Sequence, residues 1–207
     1  WKMFGSLSTL NSINKVIKFL KSFKKSKKIK IIYCPPNTLI NLMSEKFLKT
    51  SVEVGAQNCH ESMSYAPLTG SVNPSMLKSV GAKYVIIGHS ENRQSGETDK
   101  LINLKVKAAI KAGLKVIFCI GETLSQKRKK ITKKILSKQI KLGLNKVQST
   151  KNIIIAYEPV WSIGTGVIPK SRDLLKTIDF IKDKARNNKV LYGGSVNPKN
   201  IRELKLI

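Results

Sequence analysis

AYEPVWSIGTGV, from Ala156 to Val167, puts a lone carboxylate where a strand gives way to a loop. The run leading into it, Asn152 to Tyr157, is short, apolar and β-branched, the composition of a strand buried on both faces. Glu158 stands at the C-terminal end of that strand. Pro159 and Trp161 stiffen the exit while Gly164, Thr165 and Gly166 free the backbone beyond it, so the stretch predicts a lid with a rigid hinge and a pliable tip.

Outward from this stretch the same cycle recurs. Downstream, a helix is predicted over Ser171 to Ala185, a strand over Val190 to Tyr192 and one more helix over Asn200 to Leu206. Upstream lie a lysine-rich helix over Gln126 to Leu142, a strand over Lys115 to Ile120, and a helix over Asp99 to Ala112 ended by Gly113. Before those come a strand over Tyr84 to Gly88, a short helix over Pro74 to Ser79 and a strand over Val52 to Ala56, which leads into the long polar loop Gln57 to Val72. A helix over Thr38 to Phe47 and a strand over Ile29 to Tyr33, stopped by Pro35 and Pro36, complete the middle of the chain. Ile13, Val16, Ile17, Leu20 and Phe23 recur at helical spacing with Lys15, Lys18 and Lys21 facing elsewhere, as in a lysine-decorated helix covering a sheet. Trp1, Lys2 and Met3 read as the end of a truncated first strand.

Strict alternation of buried strand and amphipathic helix implies parallel strands joined by right-handed crossovers. Polar or glycine-bearing residues after nearly every strand favour a (β/α)8 barrel in a single domain, residues 1–207, over an open doubly wound sheet, whose phosphate-binding GxGxxG is missing after the first strand. Composition narrows the function classes. No apolar run approaches the roughly 18 to 20 residues that span a bilayer, so a soluble protein with no membrane partner is expected. Cys34, Cys59 and Cys119 are scattered, with no CxxC pair, and read as reduced buried thiols and not as a zinc or redox site. The formal charge of +27 invites a polyanion partner, but it comes from 34 lysines and only five arginines. Sites that read phosphates or bases favour the bidentate arginine fork, so nucleic acid is disfavoured.

In a parallel barrel the residues just past the strand C-termini converge on one mouth. His89 ends one strand, at the N-terminus of a helix opened by Ser90 and Glu91, where a neutral imidazole acting as hydrogen-bond donor is favoured. Glu158 is the candidate base. The turn Tyr192-Gly193-Gly194-Ser195-Val196 offers main-chain N–H groups and a hydroxyl to an anion. Lys2 would add a fixed positive charge to the same mouth.

WKM, GAQN, GHSE, CIGET, AYEPVWSIGTG and YGGSVNP, in this order and each at a predicted strand end, resemble the triosephosphate isomerase family over essentially the whole chain. The resemblance implies a TIM (β/α)8 barrel, here lacking most of strand one and all of strand eight. It implies interconversion of dihydroxyacetone phosphate and D-glyceraldehyde 3-phosphate through an enediolate, in glycolysis and gluconeogenesis, with no cofactor and no metal. The family is itself a standard example of pKa tuning, so the roles come with the resemblance. Glu158 matches the proton-transferring base, His89 the neutral electrophile and Lys2 the lysine that steadies the enediolate. Glu91 matches a glutamate paired with that lysine, and Gly164 and Ser195 match phosphate-binding positions. A cytoplasmic homodimer is implied, with the loop bearing Thr69 and Gly70 inserting into the neighbouring subunit. Asn92 departs from the arginine usual in the family, and Val167-Ile168-Pro169 from its frequent lysine-containing lid hinge.

Overall fold

The computed structural model describes residues 1–23 and 29–205. Strands and helices alternate along the chain: α1 (Leu10–Ser22), β1 (Ile31–Tyr33), α2 (Ile40–Lys46), β2 (Val52–Ala56), α3 (Pro74–Ser79), β3 (Tyr84–Ile87), α4 (Ser90–Gln94), α5 (Asp99–Lys111) and β4 (Lys115–Ile120). They continue with α6 (Leu124–Arg128), α7 (Thr132–Gly143), β5 (Ile153–Tyr157), α8 (Ser171–Lys184), β6 (Val190–Tyr192) and α9 (Ile201–Leu204). Strand order in the sheet follows chain order, β1 to β6. This is the βα alternation of a TIM-barrel chain, and the register is parallel in β1–β2, β2–β3 and β5–β6. The chain divides into two compact units, Trp1–Ile87 with Lys107–Val116 and Gly88–Val106 with Ile117–Ile207.

In the first unit Ile31, Ile32 and Tyr33 of β1 pair with Val52, Glu53 and Val54 of β2. Gly55 is required where β2 meets β3, since a Cβ there would lie 2.9 Å from the Cβ of Tyr84. Ile13 and Leu20 of α1 and Ile40 and Met43 of α2 are buried, and Phe47 stacks on Tyr33 with ring centroids 5.6 Å apart. Fully burying each such side chain contributes about 1.5–3 kcal/mol. Two expectations need correcting. Trp1 to Met3 form no strand: Phe4 N donates to Trp1 O (2.9 Å) in a turn, with Lys2 at φ 44°. The helix expected from Thr38 begins instead as a 3-10 turn, Asn37–Leu39, before α2.

In the second unit Ile155, Ala156 and Tyr157 of β5 pair with Val190, Leu191 and Tyr192 of β6. Leu136 and Ile140 of α7 and Leu174, Ile178 and Ile181 of α8 are buried, so both helices turn an apolar stripe inward and lysines outward. The single helix expected over Gln126 to Leu142 is two helices. Thr123 and Gln126 form a reciprocal capping box that starts α6 early. Lys130 N then donates to Lys127 O (2.9 Å) and Ile131 N to Gln126 O (3.1 Å), the bond pair that closes a helix around a left-handed residue, Lys130 at φ 57°. Glycine usually fills that position, so a lysine there hid the break. The last residue of the helix expected near the C-terminus, Leu206, lies outside the described residues.

Candidate active site

Gly88, at φ 78°, turns the chain after β3 so closely that a Cβ would lie 3.1 Å from the Cys119 carbonyl oxygen. Arg93 ties the turn down, donating from Nε to Gly88 O (2.8 Å), from Nη2 to Cys119 O (3.2 Å) and from Nη1 to Asp99 Oδ1 (2.7 Å). His89 then caps α4, its Nδ1 accepting the Glu91 N–H at 3.3 Å. A ring nitrogen that accepts a backbone N–H carries no proton, so the neutral imidazole bears its hydrogen on Nε2. That nitrogen lies 3.6 Å from Glu158 Oε1, and Glu91 Oε2 lies 3.6 Å from Nδ1.

Glu158 leaves β5 with its own N–H bonded to Ile120 O at 2.7 Å. Glycines crowd it on two sides. A Cβ on Gly121 would overlap the Glu158 carbonyl, and one on Gly193 would lie 2.7 Å from Glu158 Cγ. The residue is only 7% exposed. Burial pushes its carboxyl above the ordinary glutamate range, against the opposing pull of His89, the Cys119 thiol, the Ser90 N–H and Arg93. Ser90 N donates to Oε2 at 3.4 Å, and a cavity of about 210 Å³ adjoins the carboxylate.

Sequence reasoning singled out no role for Glu122, which is 1% exposed. It accepts Trp161 Nε1–H at 2.9 Å and the Tyr157 hydroxyl at 3.2 Å, and burial raises its pKa. Lys127 Nζ lies 3.3 Å from the centroid of the Trp161 ring, so charge and hydrogen bond grip the lid's leading hinge from α6 and the loop before it. The one available signal was that Glu122 is the fourth residue of the CIGET string, with no other acidic residue until Glu158.

The lid begins as a 3-10 turn, Val160–Ser162. Ser162 Oγ donates to Val167 O (2.5 Å) and lies 2.8 Å from the Tyr192 hydroxyl. Ser195 Oγ donates to Ser162 O (2.6 Å) and accepts the Gly166 N–H (3.1 Å), so the loop after β6 is stapled to the lid. Gly164 (φ 69°) and Gly166 (φ 75°) take left-handed conformations in open space. The structure therefore brings His89, Glu91 and Glu158 together, and joins the segment bearing Gly164 to Ser195.

Lys2 and Thr69 belong to the other unit. Lys2 is exposed and its carbonyl accepts from Gln57 Nε2 (2.8 Å), which also donates to Cys34 O (2.9 Å). Thr69 and Gly70 lie in the exposed loop after β2, closed by His60 N donating to Val72 O (2.8 Å). Among the described residues no group of three or more His, Cys, Asp or Glu could hold a metal ion, and no helix is long and apolar enough to cross a membrane.

A family model described as triosephosphate isomerase matches residues 1–206. Among curated relatives, triosephosphate isomerase of Carboxydothermus hydrogenoformans is 42% identical over 188 residues, covering 85% of this chain and 74% of the relative. That of Aquifex aeolicus is 40% identical over 184 residues, covering 84% of this chain and 74% of the relative. The crystal structure of triosephosphate isomerase from Bartonella henselae superposes with a TM-score of 0.86 at 34% identity, over 99% of this chain and 84% of that one.

Proposed function

This chain belongs to the triosephosphate isomerase family, an aldose–ketose isomerase, and from that premise we propose that Glu158 and His89 carry the proton transfers that interconvert dihydroxyacetone phosphate and D-glyceraldehyde 3-phosphate. The Glu158 carboxylate takes a proton from the carbon beside the carbonyl. The released electron pair forms a carbon–carbon double bond and moves charge onto the carbonyl oxygen, which accepts a hydrogen bond from His89 Nε2–H. Glu158 then returns the proton to the neighbouring carbon, while the hydroxyl on the first carbon gives up its hydrogen to the former carbonyl oxygen and becomes the new carbonyl. One carbon is oxidised as the other is reduced, so the step balances within the substrate and consumes no co-reactant.

A positioned base is worth roughly 10²- to 10⁴-fold, so stabilisation of the enediolate oxygens must supply much of the rest. His89 serves there, and the Lys2 ammonium and Glu91 belong to the same proposal as the resemblance implies. Gly164 and Ser195 hold the phosphate, whose binding energy orders the lid and excludes water from an intermediate that would otherwise lose phosphate. The setting is cytoplasmic glycolysis and gluconeogenesis, in a homodimer joined through the Thr69 loop.

The observation that carries this reading is the 3.6 Å approach of His89 Nε2 to Glu158 Oε1, with Nδ1 already engaged by the Glu91 N–H. Glu158→Gln keeps shape and removes the base, so kcat should fall by about 10²- to 10⁴-fold with phosphorylated-triose binding little changed. Equal turnover by wild type and variant in a coupled assay would reject the assignment.

A further inference from the structure

The residue after β4 is tied not to a neighbouring strand but to a helix side chain. Gln139, half-buried on α7, closes a two-bond ring with the Gly121 peptide: its Oε1 accepts the Gly121 N–H at 2.9 Å and its Nε2 donates to Gly121 O at 3.0 Å. The flanking carbonyls point the other way. Ile120 O accepts Glu158 N at 2.7 Å and Glu122 O accepts Val160 N at 3.0 Å. Residues 121 and 122 thus continue the ladder beyond β4, with the carboxamide on one side and the base and lid hinge on the other.

The Gly121 backbone is also packed against the Glu158 carbonyl so closely that no Cβ fits. On that side a shift of the peptide is passed to the Glu158 backbone, because the two are already in contact. We propose that Gln139 is a positioning residue for the isomerisation: its carboxamide stands in for a strand neighbour at Gly121 and thereby fixes the height of Glu158 and the seat of the lid hinge. The proposal rests on the reading of Glu158 as the base. It makes α7, whose outward face is lysine, part of the catalytic support and not only a cover for the sheet.

The test is Gln139→Leu, which fills similar volume and leaves both Gly121 groups unpaired. In the full chain kcat should fall about tenfold or more, as displacements of about an ångström at a reacting group do, with KM within about twofold of wild type. Asn103→Leu is the control for a merely structural loss, because Asn103 Nδ2 donates to Gly143 O (2.9 Å) and Asn145 O (3.0 Å) and does not reach the Glu158 ladder. That variant should lose Tm but keep kcat per folded molecule. Gln139→Glu supplies a second readout. Its ionised carboxylate accepts the Gly121 N–H but cannot donate to Gly121 O, whereas the protonated acid can do both, so its activity relative to wild type should recover as pH falls.

Wild-type kcat in folded Gln139→Leu, or an equal kcat loss in Asn103→Leu at matched Tm, would overturn the proposal. If Gln139→Leu does not fold, a ratio of Gln139→Glu to wild-type activity that stays constant with pH overturns it instead. An inactive wild type removes the function reading and this proposal with it. An active wild type beside a fully active Gln139→Leu removes this proposal alone.

Discussion

Glu158 carries two pH predictions that follow from one cause. Burial raises its pKa, and only the carboxylate can act as base, so kcat/KM should climb with pH through a value above that of an ordinary glutamate. A limb at or below the ordinary value would contradict this. The same shift has a sign for stability. A raised folded-state pKa means the folded chain holds the proton more tightly than the unfolded chain, so the contribution is full below the unfolded value and lost as pH rises through the folded one. Glu158→Gln cannot ionise, and its Tm should overtake that of wild type across that window, with no such gain below it. Parallel Tm–pH curves would remove the argument. At this scale His89 and Glu158 could be picked out as candidates because each stands just past a strand end, where polar side chains interrupt an apolar run, whereas Glu91 entered only through the family resemblance. Glu122 was not, because Tyr157 and Trp161, the residues that give it meaning, lie 35 and 39 positions away.

Among the elements, β3, β4 and β5 were readable because burial on both faces leaves a nearly continuous apolar run, as in Ile153–Tyr157. Helices α7 and α8 were readable from their apolar stripes. The α6–α7 break was not, since its signal is a backbone conformation that lysine enters only at a cost. Lys130 at φ 57° should therefore accept glycine with profit. Lys130→Gly is expected to stabilise by about 1 kcal/mol, read as a higher Tm or denaturation midpoint, because left-handed backbone costs an L-residue roughly 1–2 kcal/mol and the gain is reduced by glycine's greater unfolded-state freedom. A lower midpoint would show that the turn is set by some other interaction. The lid makes a kinetic prediction. Ser195→Ala deletes the hydroxyl that joins Ser162 O to the Gly166 N–H, so KM should rise and kcat fall together, where loss of uniform binding alone would move KM only.

Over the whole molecule the formal charge of +27 dominates. A dianionic substrate is drawn toward such a surface, so where association limits the rate, kcat/KM should drop as salt shortens the Debye length from about 30 Å at 0.01 M to about 8 Å at 0.15 M. Flat salt dependence in that regime would remove steering while leaving the chemistry untouched. The alternation of strands with helices, the parallel sheet and the residue types at strand ends were determined by the sequence alone, because backbone period and side-chain polarity are written locally. Only the tertiary structure decided which groups meet: that His89 turns Nδ1 to its own helix and Nε2 to Glu158, that Glu122 grips Trp161, and that Gln139 answers Gly121 from 18 residues away. Such pairings depend on distances near 3 Å that packing sets, and no periodicity in the chain encodes them.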